Sequence, residues 1–83
     1  MQQIKNIEEI IESINKLDAQ CGFSLKAGIA EEVLTNETLS EKIRFLTYLQ
    51  SVIYLSKIKN RSKIAIMGLF TIYIYYVLDN ENK

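Results

Sequence analysis

The stretch IAIMGLFTIYIYYVL, residues 64–78, decides how this chain folds. It carries no charge, and Thr71 is its one side chain that is polar throughout. A helix apolar on every side is buried in protein or in membrane. As an α-helix the run rises about 22 Å at ~1.5 Å per residue, less than the ~30 Å of a hydrocarbon core. Its flanks nevertheless suit a membrane. Lys57, Lys59, Arg61 and Lys63 precede it, Tyr73, Tyr75 and Tyr76 crowd its far end, and Asp79 and Glu81 follow. Basic residues on one side with an aromatic belt mark a positive-inside segment. The plainer reading is a core helix approached through a basic loop.

A strand reading competes. Residues 72–77 are all β-branched or aromatic, which suits a pleated surface. Neither alternate face is polar, so such a strand needs cover on both sides. Residues 52–58 and 63–67 are its available partners, with KNRS at 59–62 as the turn. The expected class is therefore all-α, a bundle of three or four helices over 2–20, 25–34, 38–58 and 62–78. The alternative is α+β, with strands in 52–77.

Outward from that stretch, the chain is short and uninterrupted. Its 83 residues predict a single domain, 1–83. A hydrophobic content of 48% is too high for disorder. No proline and only three glycines interrupt long helices. One cysteine excludes an intramolecular disulfide. The opening MQQIKNIEEII lacks the apolar core of a signal peptide, so a cytoplasmic location is expected, with a membrane location as the alternative.

In the first helix Ile7, Ile11 and Ile14 continue a 3-4-3 spacing begun at Ile4, with Ile10 and Leu17 widening the stripe. Gly22 suits the position just past its end, and Phe23 is expected to turn inward. Ser24 is the expected N-cap of the second helix. Gly28 then falls inside that helix, where it costs up to ~1 kcal/mol and suggests close backbone packing. Thr38 and Glu41 have the spacing of a capping box and open the third helix. One stripe there is Leu39, Ile43, Leu46, Leu49 and Ile53; a second is Phe45, Tyr48, Val52 and Leu55. Two stripes predict neighbours on two sides. Lys57 and Lys59 then lie in its last turn, Ser62 caps the fourth helix, and residues 79–83 form a frayed tail.

Charge is uneven although the formal net is zero. Residues 1–41 hold eight acids against three lysines, while 42–63 hold six basic residues and no acid. Either the two halves neutralise one another by packing, or one is an interaction surface.

The chemistry of sites is thin. There is no histidine, which removes the commonest general base and metal ligand. Cys21 has no histidine to activate it and reads as a small buried hydrophobe. The glutamates fall on outward faces, and no glycine pattern resembles a phosphate-binding loop. No catalytic residue, metal or cofactor is expected. Residues 25–58 imitate a helix-turn-helix, but Glu41 opposes phosphate and the pI near 6.2 argues against nucleic acid. In size, helical pattern and lysine-rich approach to an apolar last helix, the chain resembles small bundle proteins such as bacteriocin immunity proteins and phage-encoded inhibitors. That likeness is architectural and rests on no motif. The expectation is a non-enzymatic protein–protein interaction module of inhibitor, immunity or regulatory type, binding a protein partner or forming a homodimer. The residues expected at its interface are Phe70, Tyr73, Ile74, Tyr76, Lys57, Lys59, Arg61 and Lys63. The alternative is a small membrane protein anchored by residues 64–78.

Overall fold

The computed structural model describes residues 6–81 as four helices: α1 (Ile7–Cys21), α2 (Ile29–Asn36), α3 (Leu39–Leu55) and α4 (Asn60–Glu81). The first part of the expected opening helix, with Ile4, and the last two residues of the tail lie outside the described residues. No strand occurs among the described residues, so the α+β alternative is set aside. Burial explains why. Phe70, Tyr73 and Val77 are buried at helical spacing, and a helix hides that one arc against α3 without needing cover on both faces of a strand.

α1 begins at Asn6, whose side chain accepts from the Glu9 N–H at 3.0 Å. It ends at Gly22, left-handed at φ 67°, whose N–H donates to the Asp18 carbonyl at 2.9 Å. Phe23 turns into the core as expected, 4% exposed, with its ring edge-on to Phe70 at 6.0 Å. That anchor delays α2. Ser24 does not cap it; the helix starts after Gly28, whose φ of 81° demands glycine. The start at residue 29 also puts Glu31 and Glu32 in the first turn, at the positive end of the helix dipole. Gly28 is thus a turn residue outside the helix, and no atom lies close enough for backbone packing to explain it.

Thr38 caps α3 as expected, accepting from the Glu41 N–H. The helix stops at Leu55, three residues before the expected end. Ser56 is extended, and its hydroxyl donates to the Ile53 carbonyl at 2.6 Å. Lys57 and Lys59 therefore lie in the connection and not in the last turn. The cation at this helix end is Lys63 of α4, whose ammonium donates to the Tyr54 and Ser56 carbonyls at 3.0 and 2.9 Å. α4 starts before Ser62, which is not its cap, and runs to Glu81. Residues 79–81 are helical and not frayed, because Glu81 pairs with the half-buried Lys42 at the start of α3.

α3 and α4 form an antiparallel hairpin with the most extensive packing in the molecule, and α1 and α2 lie across it. Leu46, Leu49 and Ile53 meet Phe70 and Val77, while Ile10 and Ile14 close the core from α1. The second stripe of α3 is not covered throughout: Phe45 and Val52 are half-buried, but Tyr48 and Leu55 are 56% and 78% exposed. The molecule measures 37 × 30 × 19 Å. Its thin dimension is about two helix diameters of ~10 Å, and among the described residues no further element lies over the outer face of α4.

Phe70→Ala is expected to remove ~3–5 kcal/mol of stability through the cavity it leaves at the junction of three helices. Gly28→Ala is expected to cost ~1–2 kcal/mol from the left-handed backbone alone, and Gly28→Asn less. Urea denaturation followed by circular dichroism measures all three.

Candidate interaction surface

α4 has two faces that differ above all in cover, since both are apolar through the middle of the helix. Its inner arc holds Phe70, Tyr73 and Val77, flanked by Ile66, Met67, Leu69, Ile74 and Tyr76, all packed on the core. Its outer arc spans ~140° of the helix circumference at 3.6 residues per turn. There lie Asn60, Arg61, Ile64, Ala65, Gly68, Thr71, Ile72, Tyr75 and Asp79, every one exposed. Ile64 is 71% exposed and Tyr75 68%. The middle of this arc is apolar and its two ends are charged. On the neighbouring helix Tyr54 and Leu55 extend it, lining a shallow depression of about 300 Å³ with Gln50, Ser51 and Met67.

Two polar ties hold α4 at this angle. The Gln50 amide donates to the Met67 carbonyl at 2.8 Å and to the Thr71 hydroxyl at 2.9 Å. The Thr71 hydroxyl donates in turn to the Met67 carbonyl at 3.2 Å. The only polar-throughout residue of the apolar run is therefore satisfied within the hairpin. On the inner side the Tyr73 hydroxyl donates to Ser13 of α1 at 2.5 Å.

The residues expected at an interface divide between the two arcs. Phe70 and Tyr73 are buried and have no side-chain surface to offer, so both are core residues. Ile74 and Tyr76 are half-buried and pack on the core. Lys63 is committed to the carbonyls of α3. Lys57, Lys59 and Arg61 are exposed, with no ion partner among the described residues. Among the described residues two ion pairs involve the basic segment. Lys42–Glu81 ties the basic segment to the far end of α4, and Arg44–Glu41 lies within one helix turn. The exposed large apolar residues of this surface that the expectation left out are Ile64, Ile72, Tyr75, Tyr54 and Leu55. Arg61, Gly68, Thr71 and Asp79 share the outer arc at 100° per residue, but Lys63 and Glu81 fall on the inner one, so polar positions alone do not locate the exposed face.

Among the described residues no three carboxylate or thiol side chains cluster closely enough to hold a metal ion. Burial, with Asp18 nearby, pushes the Cys21 thiol above its ordinary value and disfavours the thiolate. A groove of about 420 Å³ between α2 and α3 is lined by Val33, Glu37, Glu41, Arg44, Phe45 and Tyr48. Comparison with protein families, curated protein sequences and solved structures finds no match to this chain.

Burial also raises the Tyr73 phenol above its ordinary value of 10.0, the Ser13 hydroxyl working against it and Glu9 with it. A raised value means the folded state keeps a proton that the unfolded state loses. Stability from this group is complete below the unfolded value and falls as pH rises through the folded one. Thermal melts are expected to drop as pH climbs past about 10, and Tyr73→Phe to flatten that decline.

Proposed function

We propose that this chain is a non-enzymatic helical interaction module, of inhibitory, immunity or regulatory type, that works by docking protein on the outer face of α4. One observation carries the reading. Ile64, Ala65, Gly68, Ile72 and Tyr75 lie exposed along one arc of a helix that is apolar nearly all round. A helix of that composition is ordinarily covered, and large exposed apolar patches mark interaction sites. Tyr75, Tyr54 and Ile72 supply the aromatic and aliphatic anchors that dominate protein interfaces. Lys57, Lys59 and Arg61 rim one end of the patch, where charge steers encounter more than it adds affinity.

Insertion into a membrane is the second reading, favoured by the length of α4. Its 22 residues rise about 33 Å, enough to cross a hydrocarbon core of ~30 Å. The packing favours protein. Spanning the bilayer strips Phe70, Tyr73 and Val77 from α3 and α1 and breaks both Gln50 hydrogen bonds.

A photoreactive phenylalanine analogue at Tyr75, introduced in cells making the chain, tests the two together. Adducts of discrete protein mass are expected from Tyr75 and not from Glu12 on the polar face of α1. Adducts to lipid alone, with the chain retained in carbonate-washed membranes, would reverse the order of the two readings.

A further inference from the structure

We infer that the occupant of the outer face of α4 is a second copy of this chain, the two α4 helices packing antiparallel about a twofold axis near residue 70. This rests on the reading of that face as a protein-docking surface and names its partner. Along the centre of the arc run Arg61, Ala65, Gly68, Ile72, Tyr75 and Asp79, all exposed. Their spacing alternates four and three, the repeat of a helix–helix seam. The order is self-complementary when reversed. Antiparallel pairing sets Arg61 against Asp79 of the partner subunit. It sets Ala65 against Tyr75 of the partner subunit, and Gly68 against Ile72 of the partner subunit. Each apolar step then joins a small side chain to a large one. The register overlaps the helices from end to end, since its midpoint is also the middle of Asn60–Glu81.

Charge selects this occupant. The first turns of α1, α2 and α3 carry Glu8 and Glu9, Glu31 and Glu32, and Glu41, as the helix dipole favours. α4 is charged the other way. Its first turn has no acid, its last turn no base, and Asp79 and Glu81 stand at its C-terminal end. Within one chain the antiparallel α3 already answers part of this, through Lys63 on the Tyr54 and Ser56 carbonyls and Glu81 on Lys42. Arg61 and Asp79 of the outer arc have no ion partner among the described residues, and beside an antiparallel copy Arg61 faces the negative end of a helix and Asp79 the positive end of one. A parallel pair stacks Arg61 on Arg61 and Asp79 on Asp79. Lipid offers hydrocarbon to the apolar middle but no matched counter-charge for both ends. Closed twofold pairing is also the commonest way for a soluble chain to cover such a face.

Light scattering during size-exclusion chromatography of the full chain, from micromolar to millimolar concentration, is expected to give twice the 9.6 kDa chain mass. Arg61→Asp and Asp79→Arg should each weaken the dimer on the order of tenfold, since two exposed ion pairs become repulsive. An equimolar mixture of the two variants should restore it. Both positions are exposed, so circular dichroism should be unchanged. Orientation is read by mild oxidation: Ala65→Cys with Tyr75→Cys should give a covalent dimer, and Ala65→Cys alone should not. In the antiparallel register two copies of residue 65 lie ~15 Å apart, beyond the reach of a disulfide. A monomeric wild-type chain, or a disulfide from Ala65→Cys alone, overturns the inference. If the chain is monomeric yet Tyr75 crosslinks to another protein, the antiparallel dimer fails and the docking reading stands. If neither is seen, both fail.

Discussion

The contact of α4 with α3 around Phe70 is the constraint on which the rest of the molecule depends. Phe70 is fully buried, with the Tyr73 ring at 5.2 Å and the Phe23 ring at 6.0 Å. Phe23 comes from the turn after α1, so one aromatic cluster joins the turn to the hairpin. Burying a side chain of this size contributes ~1.5–3 kcal/mol. The whole of a small domain is stable by only ~5–15 kcal/mol. Gln50, Thr71 and Lys63 add direction: they bind polar groups of one hairpin arm to the other and hold the rotation of α4 about its axis. Rotation determines which residues of an almost uniformly apolar helix are hidden.

Uniform composition also hides the division of α4 into a covered arc and an exposed one. The inner arc is committed to the core, and changes there act on folding. The outer arc makes no comparable contact within the protomer, so its apolar character contributes little to the folded monomer and invites association. An exposed arc built for solubility alone would carry lysine and glutamate, as the outer face of α1 does with Glu8, Glu9, Glu12 and Lys16. The contrast within one chain, between a conventionally polar α1 surface and an apolar α4 surface, is what the proposed docking role rests on.

Much of the fold was legible in the chain, for identifiable reasons. The isoleucine spacing of α1, the Thr38–Glu41 cap and the glycine at 22 are local signals, and local signals set those elements. Ser24 misled because serine caps many helices, whereas the anchor at Phe23 and the backbone at Gly28 decided where α2 starts. The end of α3 depended on Ser56 and on Lys63 reaching back from the next helix, a contact between residues seven apart across a turn. That Phe70 and Tyr73 are buried was not legible because of the evenness of the run: with no polar face inside 64–78, hydropathy alone does not orient the helix. The charged residues just outside the run do not settle it either: Lys63 and Glu81 lie on the inner arc and reach α3, but Arg61 and Asp79 lie on the outer one.

That arc carries a further physical consequence. A plate two helices thick has a large surface for its volume and buries a modest share of the area its unfolded chain exposes. Covering one outer helix face adds a third layer without lengthening the chain. Any occupant that binds only the folded form raises stability by mass action, in proportion to the logarithm of its concentration. The apolar outer face is then not in conflict with solubility once occupied, and α4 becomes what its composition calls for, a helix covered on both sides. The inner cover comes from α3 and α1 within the chain. The outer cover must match a face apolar at its centre and oppositely charged at its two ends, and the simplest surface with that pattern in reverse is the same face turned end for end.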